Sequence, residues 1–525
     1  MALLLKGAHV VDPAVNLDEK CDILVRDGQV VEIATGKSTI SKPDKCVERD
    51  LTGTILIPGM IDCHVHLRDP GFEYKETVLT GMRTAAKGGF CGIVPMANTD
   101  PVIDNAAMIE REFEKCSYSP GKTRIYPVGA CTKNLAGKKL AEMADMAHAG
   151  AVAFSDDGHG IQNPAVARAC MEYAFMLKKP VLSHCQDDAL SANGVINEGE
   201  ASSRLGLSAW PAAAEEIQIA RDIELCRLTG CHVHIQHITT AHGVELVKAA
   251  KEEGLPISCE VTPHHLFLHD GMISRKSYNA NFKVNPPLRT RTDCLALQNA
   301  LIDGTIDIVS TDHAPHAPHE KDIEFSQAAF GSIGLETALA LVLSGLVLKN
   351  VEEPCFDESM LKETFGIAGG DNSANAEEQA SAESAGADIG AAADRSAATD
   401  IGAGTNTSVA VDSNAAADSN AAADISAATE RLSVPLTDKR MSWQRFVEAF
   451  SINPRKLLHL PQIKVEPGGV ADYTVIDPNE KWVVSSSEFE SKSKNSAFLG
   501  MHLQGRAKDV YTQGYASLQD GKVMF

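Results

Sequence analysis

The sequence predicts an α/β protein, a (β/α)8 TIM-type barrel with a small β-sandwich domain formed from both termini. Three observations lead to this prediction. The chain has 525 residues, which is too long for one small core. Its middle alternates short apolar segments with longer helical stretches, as barrels of parallel strands do. Both ends carry short β-type segments instead, so we expect the two ends to meet in one separate domain.

The two chain ends share a hairpin pattern. Apolar runs at 23–25 and 30–33 flank Asp27-Gly28, a dipeptide typical of a two-residue hairpin turn. Near the other end, a strand-like run at 473–476 and an Asp-Gly pair at 520–521 repeat this pattern. We therefore predict that residues 1–57 and 463–525 form the small β domain.

Short apolar runs in the middle of the chain predict the barrel strands. One run, 55–61, leads into a His-x-His sequence. The other predicted strands are 92–96, 125–128, 152–154, 181–183, 233–235, 257–261 and 306–310. Helical patterns such as 164–178 and 213–228 lie between them. We assign residues 58–368 and 432–462 to the barrel.

A low-complexity segment interrupts this pattern. Residues 369–431 are mainly Ala, Ser, Asn, Asp and Gly, contain no aromatic residue, and carry 11 acidic residues against Arg395 and Arg431. Such a segment buries too little apolar surface to offset the entropy of ordering it. We interpret it as a disordered insertion, with a regulatory tether as the alternative.

The amino-acid composition argues against several classes of function. The net charge of −22 argues against a nucleic-acid partner or an anionic membrane surface. No apolar run approaches the length of a membrane span, and the first residues lack the basic region and cleavage site of a secretory signal. The 13 cysteines are scattered, without a Cys-x-x-Cys pair. We expect reduced thiols in a cytoplasmic protein, with any metal held by His and Asp.

Histidine and aspartate side chains follow the predicted strands. His64 and His66, two residues apart, point to the same face of a strand. Further candidates at strand ends are Asn98, Asp156, Asp157, His184, His237 and Asp312. Alone, the His-x-His suits a surface strand equally well, and Asp156-Asp157-Gly158 is typical of a turn. The active sites of such barrels lie at the carboxyl ends of the strands. These histidine, aspartate and asparagine residues together therefore predict one active site.

These residue types suit a catalytic zinc centre. Imidazole and carboxylate ligands without thiolate leave an open coordination position, whereas structural zinc is usually Cys-rich and closed. Two metal ions would polarise a carbonyl and supply a nucleophile at neutral pH, with Asp156 or Asp157 bridging them. Asp312 could act as general base and pass the proton to a leaving nitrogen. Arg68 is suited to gripping a substrate carboxylate.

The motifs together resemble one known family. They are 62–71 (DCHVHLRDPG), 96–99 (MANT), 154–158 (FSDDG), 183–185 (SHC), 262–266 (TPHHL), 285–289 (NPPLR) and 311–316 (TDHAPH). In this set the chain resembles the type I dihydroorotases of the amidohydrolase superfamily. The resemblance covers roughly residues 1–368 and 432–525. It implies a hydrolase of cyclic amides that interconverts N-carbamoyl-L-aspartate and (S)-dihydroorotate in pyrimidine biosynthesis.

The resemblance also implies residue roles. One zinc would be held by His64, His66 and Asp312, a second by His184 and His237, with Asp157 favoured over Asp156 as the bridge and Asp312 as the catalytic acid/base. The substrate carboxylate would bind Arg68, Asn98 and His316, and the ring amides would bind Asn285 and the backbone at Phe330 and Gly331. Relatives usually carry Pro where this chain has Ala329. The number of zinc ions, one or two per subunit, stays open.

Related reactions and assemblies offer alternatives. Hydantoinases, dihydropyrimidinases and allantoinases generally bridge their metals with a carboxylated lysine, and the strand at 151–157 contains no lysine. A non-catalytic barrel, as in metal-free partners of aspartate transcarbamoylase, would have lost ligand residues, and all six are present here. For partners, the resemblance implies a small-molecule substrate and a homo-oligomer, and leaves open an assembly with aspartate transcarbamoylase.

Overall fold

A computed structural model describes residues 2–36, 38–118, 123–274, 278–349, 355–356 and 434–525. The predicted insertion at 369–431 lies outside these residues. In the described parts of the chain, no helix combines the length and apolar character needed to cross a membrane.

The strands divide between the two chain ends and the middle. They are β1 (Ala2–Asp12), β2 (Leu17–Arg26), β3 (Gln29–Thr35), β4 (Cys46–Asp50), β5 (Ile55–Pro58), β6 (Met60–Val65), β7 (Phe90–Pro95), β8 (Arg124–Ile125), β9 (Val128–Gly129), β10 (Ala153–Phe154), β11 (Val181–Ser183), β12 (Ile196–Asn197), β13 (Ala209–Trp210), β14 (Val233–Ile235), β15 (Ile257–Val261), β16 (Ile308–Val309), β17 (Cys355–Phe356), β18 (Tyr473–Val483), β19 (Met501–Thr512), β20 (Tyr515–Gln519) and β21 (Lys522–Val523).

The helices lie mainly between the middle strands. They are α1 (Val78–Gly88), α2 (Ala106–Tyr118), α3 (Met143–Ala149), α4 (Pro164–Leu177), α5 (Asp188–Ser191), α6 (Glu200–Leu205), α7 (Ala213–Thr229), α8 (Ala241–Glu252), α9 (Pro263–Phe267), α10 (Arg291–Asp303), α11 (Pro318–Lys321), α12 (Ala338–Val342), α13 (Trp443–Val447) and α14 (Asn453–Leu457). Two π-helical turns, Leu343–Leu348 and Glu448–Ile452, continue α12 and α13.

Strands from both ends of the chain form one 10-stranded sheet. The predicted hairpin pairs β2 with β3 antiparallel, and the carboxyl-terminal β18 pairs antiparallel with β5. Alternate residues of β1 pack on opposite faces: Leu3 and Leu5 join one apolar cluster with Tyr473, and Leu4 joins another. The first of these clusters therefore contains residues from both chain ends.

The middle strands run parallel and close into a barrel. The pairing order is β16-β15-β14-β11-β10-β9 in one sheet and β6-β7-β8 in the other. A parallel bridge joins Val65 to His313, and the His66 backbone N–H donates to the His313 carbonyl at 2.9 Å, which closes the ring. This arrangement confirms the predicted fold class.

The third barrel strand differs from its prediction. The sequence suggests one strand at 125–128, but the structure has two short strands, with β8 paired to β7 and β9 paired to β10. Pro127 lies between them and has no N–H to donate to a neighbouring strand, so the ladder is interrupted there. Because of this break, the segment 124–129 pairs with β7 through its first part and with β10 through its second part.

A segment from the terminal domain reaches the mouth of the barrel. Between β18 and β19, the chain at 489–498 is largely buried against barrel loops. There the Ser491 hydroxyl and the Lys492 N–H contact the Glu76 carboxylate, and the Ala497 N–H donates to the Ser332 hydroxyl at 2.9 Å. The small domain therefore helps to hold the loops that surround the site.

Candidate metal centre and active site

Side chains from five separate strand ends converge at one mouth of the barrel. His64 and His66 come from the end of β6, Asp157 follows β10, His184 follows β11, His237 follows β14 and Asp312 follows β16. All six are buried, with exposures of 6 % or less. The convergence of the six residues follows from the parallel strands, whose carboxyl ends all meet at this rim.

The Asp157 carboxylate lies at the centre of four imidazoles. Its Oδ1 is 3.3 Å from His64 Nε2, 3.5 Å from His184 Nδ1 and 3.8 Å from His237 Nε2. Its Oδ2 is 3.6 Å from His66 Nε2. One oxygen of Asp157 therefore faces three of the imidazoles, and the other faces the fourth.

Asp312 completes the other half of the cluster. Its Oδ1 lies 2.9 Å from His66 Nε2 and 3.6 Å from His64 Nε2. The ligand atoms of His64, His66 and Asp312 are close enough together to hold one ion, and those of His64, Asp157 and His237 could hold another. His184 Nδ1 lies 2.9 Å from His237 Nε2, beside the second group.

The neighbouring Asp156 has a different environment. One of its oxygens accepts from the Thr132 N–H at 2.9 Å, and the other contacts the Thr132 hydroxyl. Both oxygens are thus bound to the preceding strand end. Of the two candidates that the sequence left open, Asp157 is the one that faces the histidines.

Three of the imidazoles are fixed through the nitrogen that points away from the cluster. His64 Nδ1 donates to Glu260 Oε1 at 2.7 Å, and His66 Nδ1 donates to Asn98 Oδ1 at 2.9 Å. His184 Nε2 donates to Gln186 Oε1 at 2.9 Å. Each ring is therefore held with its other nitrogen toward the two aspartates, which is the usual support of a metal-binding histidine.

Two atoms at the centre of the cluster have no hydrogen-bond partner among the described residues. They are His64 Nε2 and Asp157 Oδ1, both fully buried. Leaving such atoms unsatisfied costs free energy unless another group pairs with them. A donor set of imidazole nitrogens and carboxylate oxygens with an orphaned atom of each kind fits a divalent transition metal such as zinc.

The two aspartates are ionised. Burial raises the pKa of Asp157, but the surrounding imidazoles of His64, His184 and His237 outweigh burial and hold that pKa well below its usual value. Burial acts on Asp312 in the same way, and His64 and His66 likewise lower its pKa. Both groups are therefore present as carboxylates at neutral pH, the form that binds a metal or accepts a proton.

Three residues at this rim have unusual backbone conformations. Arg68, His237 and Asp312 have φ values of 61°, 30° and 47°, in the left-handed region that non-glycine residues rarely adopt. Such conformations persist only where the surrounding structure enforces them, and they cluster at functional sites. Here the strain turns each side chain into the barrel mouth.

The predicted carboxylate-binding residues lie together beside the metal cluster. Arg68 Nε donates to the Pro315 carbonyl at 3.2 Å, and its Nη2 lies 3.5 Å from His316 Nε2. His316 Nε2 also lies 2.7 Å from the Phe330 carbonyl oxygen. Gly331 has φ 132°, and a Cβ there would lie 2.6 Å from the Ala314 Cβ, so the chain needs glycine at this position.

The other two predicted substrate residues contact the ligand histidines or their supports. Besides its bond to His66, the Asn98 amide donates to Asp157 Oδ2 at 3.3 Å. The Asn285 amide donates to Gln186 Oε1 at 3.2 Å, and its own Oδ1 is buried without a partner among the described residues. Both amides therefore border the cluster.

Sequence reasoning missed Glu260, the acceptor that orients His64. Glu260 is 1 % exposed. Its Oε2 accepts from the Ser310 hydroxyl at 2.6 Å and lies 3.3 Å from His234 Nε2. A signal for it exists, because a charged residue within the apolar run 257–261 must face the barrel interior. His234 and His232 share the Ser258 hydroxyl, so they lie below the cluster rather than in it.

Comparisons with known proteins point to one family. A family model described as dihydro-orotase-like matches residues 53–243. The chain is 37 % identical to a dihydroorotase of Pelotomaculum thermopropionicum over 520 residues, which cover 99 % of each chain. It is 35 % identical to a dihydroorotase of Syntrophus aciditrophicus over 520 residues, which cover 99 % of this chain and 100 % of the relative.

Among solved structures, the fold is similar to that of L-hydantoinase (dihydropyrimidinase) from Arthrobacter aurescens. The TM-score is 0.72, and the match covers 100 % of this chain and 97 % of the other, at 21 % sequence identity. At that identity the likeness establishes the barrel and β-sandwich fold alone.

Proposed function

Because the chain belongs to the dihydroorotase family, we propose that it is a metal-dependent hydrolase that interconverts (S)-dihydroorotate and N-carbamoyl-L-aspartate in pyrimidine biosynthesis. The observation that carries this proposal is the buried Asp157 carboxylate among four imidazoles, beside Asp312 and an arginine. Full-length identity to dihydroorotases supports the choice of substrate.

We assign the metal to the six converging side chains. One zinc would be held by His64, His66 and Asp312. A second zinc would be held by His184 and His237. Asp157 would be a ligand of both ions. The orphaned His64 Nε2 and Asp157 Oδ1 support this assignment, since a bound cation would satisfy both atoms. When bound, zinc supplies Lewis acidity toward the ring carbonyl and the attacking water.

Asp312 then moves the proton. In ring opening, the water oxygen adds to the ring carbonyl carbon while the Asp312 carboxylate takes one proton from that water. The carbon–nitrogen bond breaks, and Asp312 passes its proton to the leaving nitrogen, which completes the carbamoyl group. The new carboxyl group releases the second water proton to solvent and becomes the carboxylate of the product. Ring closure follows the same path in reverse.

Arg68 and His316 would bind the carboxylate that the substrate carries on its ring. Arg68 is a permanent cation with donors in a planar fork, and the His316 ring lies beside it, with its Nε2 toward the Phe330 carbonyl. Asn98 would contribute an amide donor to the same group. Asn285 and the backbone at Phe330 and Gly331 would contact the ring amides.

The related hydantoinase reaction is the alternative, since solved hydantoinases share the fold. Two features favour dihydroorotate. The residue at the centre of the histidines is Asp157, not a lysine, and the adjacent Arg68 with His316 suits a substrate bearing a carboxylate.

Substrate preference tests the proposal. The purified, zinc-loaded protein should open dihydroorotate far faster than dihydrouracil, which has the same ring without the carboxylate. Equal rates on both rings, or a preference for hydantoin, would contradict it. A cytoplasmic location, a homo-oligomer and an association with aspartate transcarbamoylase stay predictions.

A further inference from the structure

The carbonyl of Gly331 receives two hydrogen bonds from opposite directions. Lys321 Nζ donates to it at 2.9 Å, and the Asn495 side-chain amide donates at 3.2 Å. Lys321 belongs to the barrel loop after β16, whereas Asn495 belongs to the segment that arrives from the terminal domain. Neither residue contacts the metal cluster, and the function proposed above gives neither a role.

Lys321 is a buried cation whose donors are all used by backbone carbonyls. Besides Gly331, its Nζ donates to the Ala329 carbonyl at 2.7 Å and to the Lys283 carbonyl at 3.3 Å. Only 7 % of the residue is exposed. In its protonated form Lys321 has three N–H groups for these three acceptors, so it can hold the carbonyls of Ala329 and Gly331, the residues before and after Phe330.

Asn495 ties the same segment to the loop that carries His316. Its Oδ1 accepts from the His316 backbone N–H at 3.0 Å, and its amide donates to the Ala314 carbonyl at 3.0 Å in addition to Gly331. Because its exposure is 5 %, these bonds are shielded from water. Together with the Ala314 N–H, which donates to the Ser332 carbonyl at 3.0 Å, this side chain sets the spacing between residues 314–316 and residue 331.

That spacing determines where the His316 ring lies. His316 Nε2 is 2.7 Å from the Phe330 carbonyl and 3.5 Å from Arg68 Nη2. The ring is thus held between the arginine and the segment that Lys321 and Asn495 fix. A shift of Phe330 or Gly331 would move the imidazole away from the arginine.

We propose that Lys321 and Asn495 are positioning residues for substrate binding, which hold the Gly331 carbonyl from two sides and thereby set the His316 ring beside Arg68. The inference rests on the proposed function, in which Arg68 and His316 bind the substrate carboxylate. Neither residue touches the reacting atoms, so their loss should affect substrate binding and spare the metal centre and the chemical step.

Steady-state kinetics on dihydroorotate test the proposal. Lys321→Met keeps the length of the side chain but removes its donors. We expect KM to rise about tenfold while kcat stays within about twofold of wild type, because removing donors used in positioning weakens binding rather than chemistry. Zinc content should be unchanged. The same substitution at the surface residue Lys464, whose Nζ lies 3.6 Å from the Glu466 carboxylate, is the matched control and should leave KM unchanged.

A second variant keeps the test decisive if Lys321→Met folds poorly. Asn495→Ala removes the other donor to Gly331 and should also raise KM. Because both residues act on one carbonyl, the KM increase of the double variant should be smaller than the product of the single increases. If both single variants fold, a product of independent effects would overturn the shared role. If only Asn495→Ala folds, its KM alone decides.

The outcomes separate the two proposals. A wild-type KM in the folded variants, with lowered melting temperature alone, would show a purely structural role and overturn this inference. A wild-type protein that fails to turn over dihydroorotate would overturn the proposed function, and the present inference with it.

Discussion

Asp157 Oδ1 lies 3.3 Å from His64 Nε2, and neither atom has a hydrogen-bond partner among the described residues. Each residue is fixed by a hydrogen bond through another atom. The Glu260 carboxylate binds the Nδ1 of His64, and the Asn98 amide donates to Oδ2 of Asp157. An aligned but unsatisfied pair in a buried site is expected where a cation completes the structure.

Asp157 and Asp156 offer a matched pair for testing the metal centre. Asp157→Asn should lose bound zinc and lower kcat by more than about a hundredfold, because it removes a negative charge from the metal ligands. Asp156→Asn should retain zinc, since Asp156 binds Thr132 instead. Metal analysis of both purified variants checks this. Zinc loss in Asp156→Asn with retention in Asp157→Asn would reverse the assignment.

Asp312→Asn should abolish turnover in both directions of the reaction. The amide keeps the shape of the side chain but cannot accept a proton from water. We expect kcat to fall by at least about a thousandfold, within the range that general acid–base catalysis contributes. Stopped assays with dihydroorotate and with N-carbamoyl-L-aspartate measure it. Retained activity would refute Asp312 as the base.

Arg68→Ala should weaken substrate binding while kcat changes less. Loss of a charge-assisted hydrogen bond costs about 1.5–3 kcal/mol, so KM for dihydroorotate should rise roughly tenfold to a hundredfold. Arg68→Lys keeps the charge but loses the planar fork and should fall between wild type and alanine. The discriminating control is dihydrouracil: without a carboxylate, its slow turnover should not respond to either variant.

Lys321 should make stability depend on pH. Burial, followed by the nearby Lys283 ammonium, lowers the pKa of Lys321 to about 7, while Glu320 opposes the shift. His316 and the Phe330 segment are the other groups that share its surroundings. The unfolded chain keeps the lysine proton up to about pH 10.4, so between pH 7 and 10 the unfolded state binds more protons. The contribution of Lys321 to stability should therefore rise with pH across that window.

Thermal unfolding of wild type and Lys321→Met at pH 7, 8 and 9 measures this effect. Other titrating groups contribute alike to both proteins and cancel in the difference. The melting temperature of wild type relative to the variant should increase with pH. A constant difference would show that the lysine keeps its ordinary pKa in the folded protein.

Local patterns in the sequence predicted most of the barrel strands and the histidine and aspartate residues that converge at its mouth. The alternation at His64 and His66 and the apolar runs before His184, His237 and Asp312 are local signals, and the strand geometry of the fold makes them converge. The choice between Asp156 and Asp157 could not be made from the chain alone, because both residues follow the same strand and only the tertiary contact with Thr132 separates them.

Residues whose role depends on contacts formed only in the folded protein have no such signal in the sequence. Asn495 lies 164 positions from Gly331 in sequence, in a segment of the terminal domain with no recognisable motif, and yet it binds two loops at the barrel mouth. Lys321 follows an acidic residue in a short helix and looks like a solvent-exposed lysine until the fold buries it. Contacts of this kind depend on domain packing, which composition and periodicity do not encode.

The measurement that tests the account most directly is a titration of zinc into metal-stripped protein, with dihydroorotate ring opening followed at each step. We expect negligible turnover without metal, a rise with added zinc, and saturation once the buried cluster around Asp157 is filled. Full turnover of dihydroorotate by the metal-free protein, or no turnover at saturating zinc, would contradict the account.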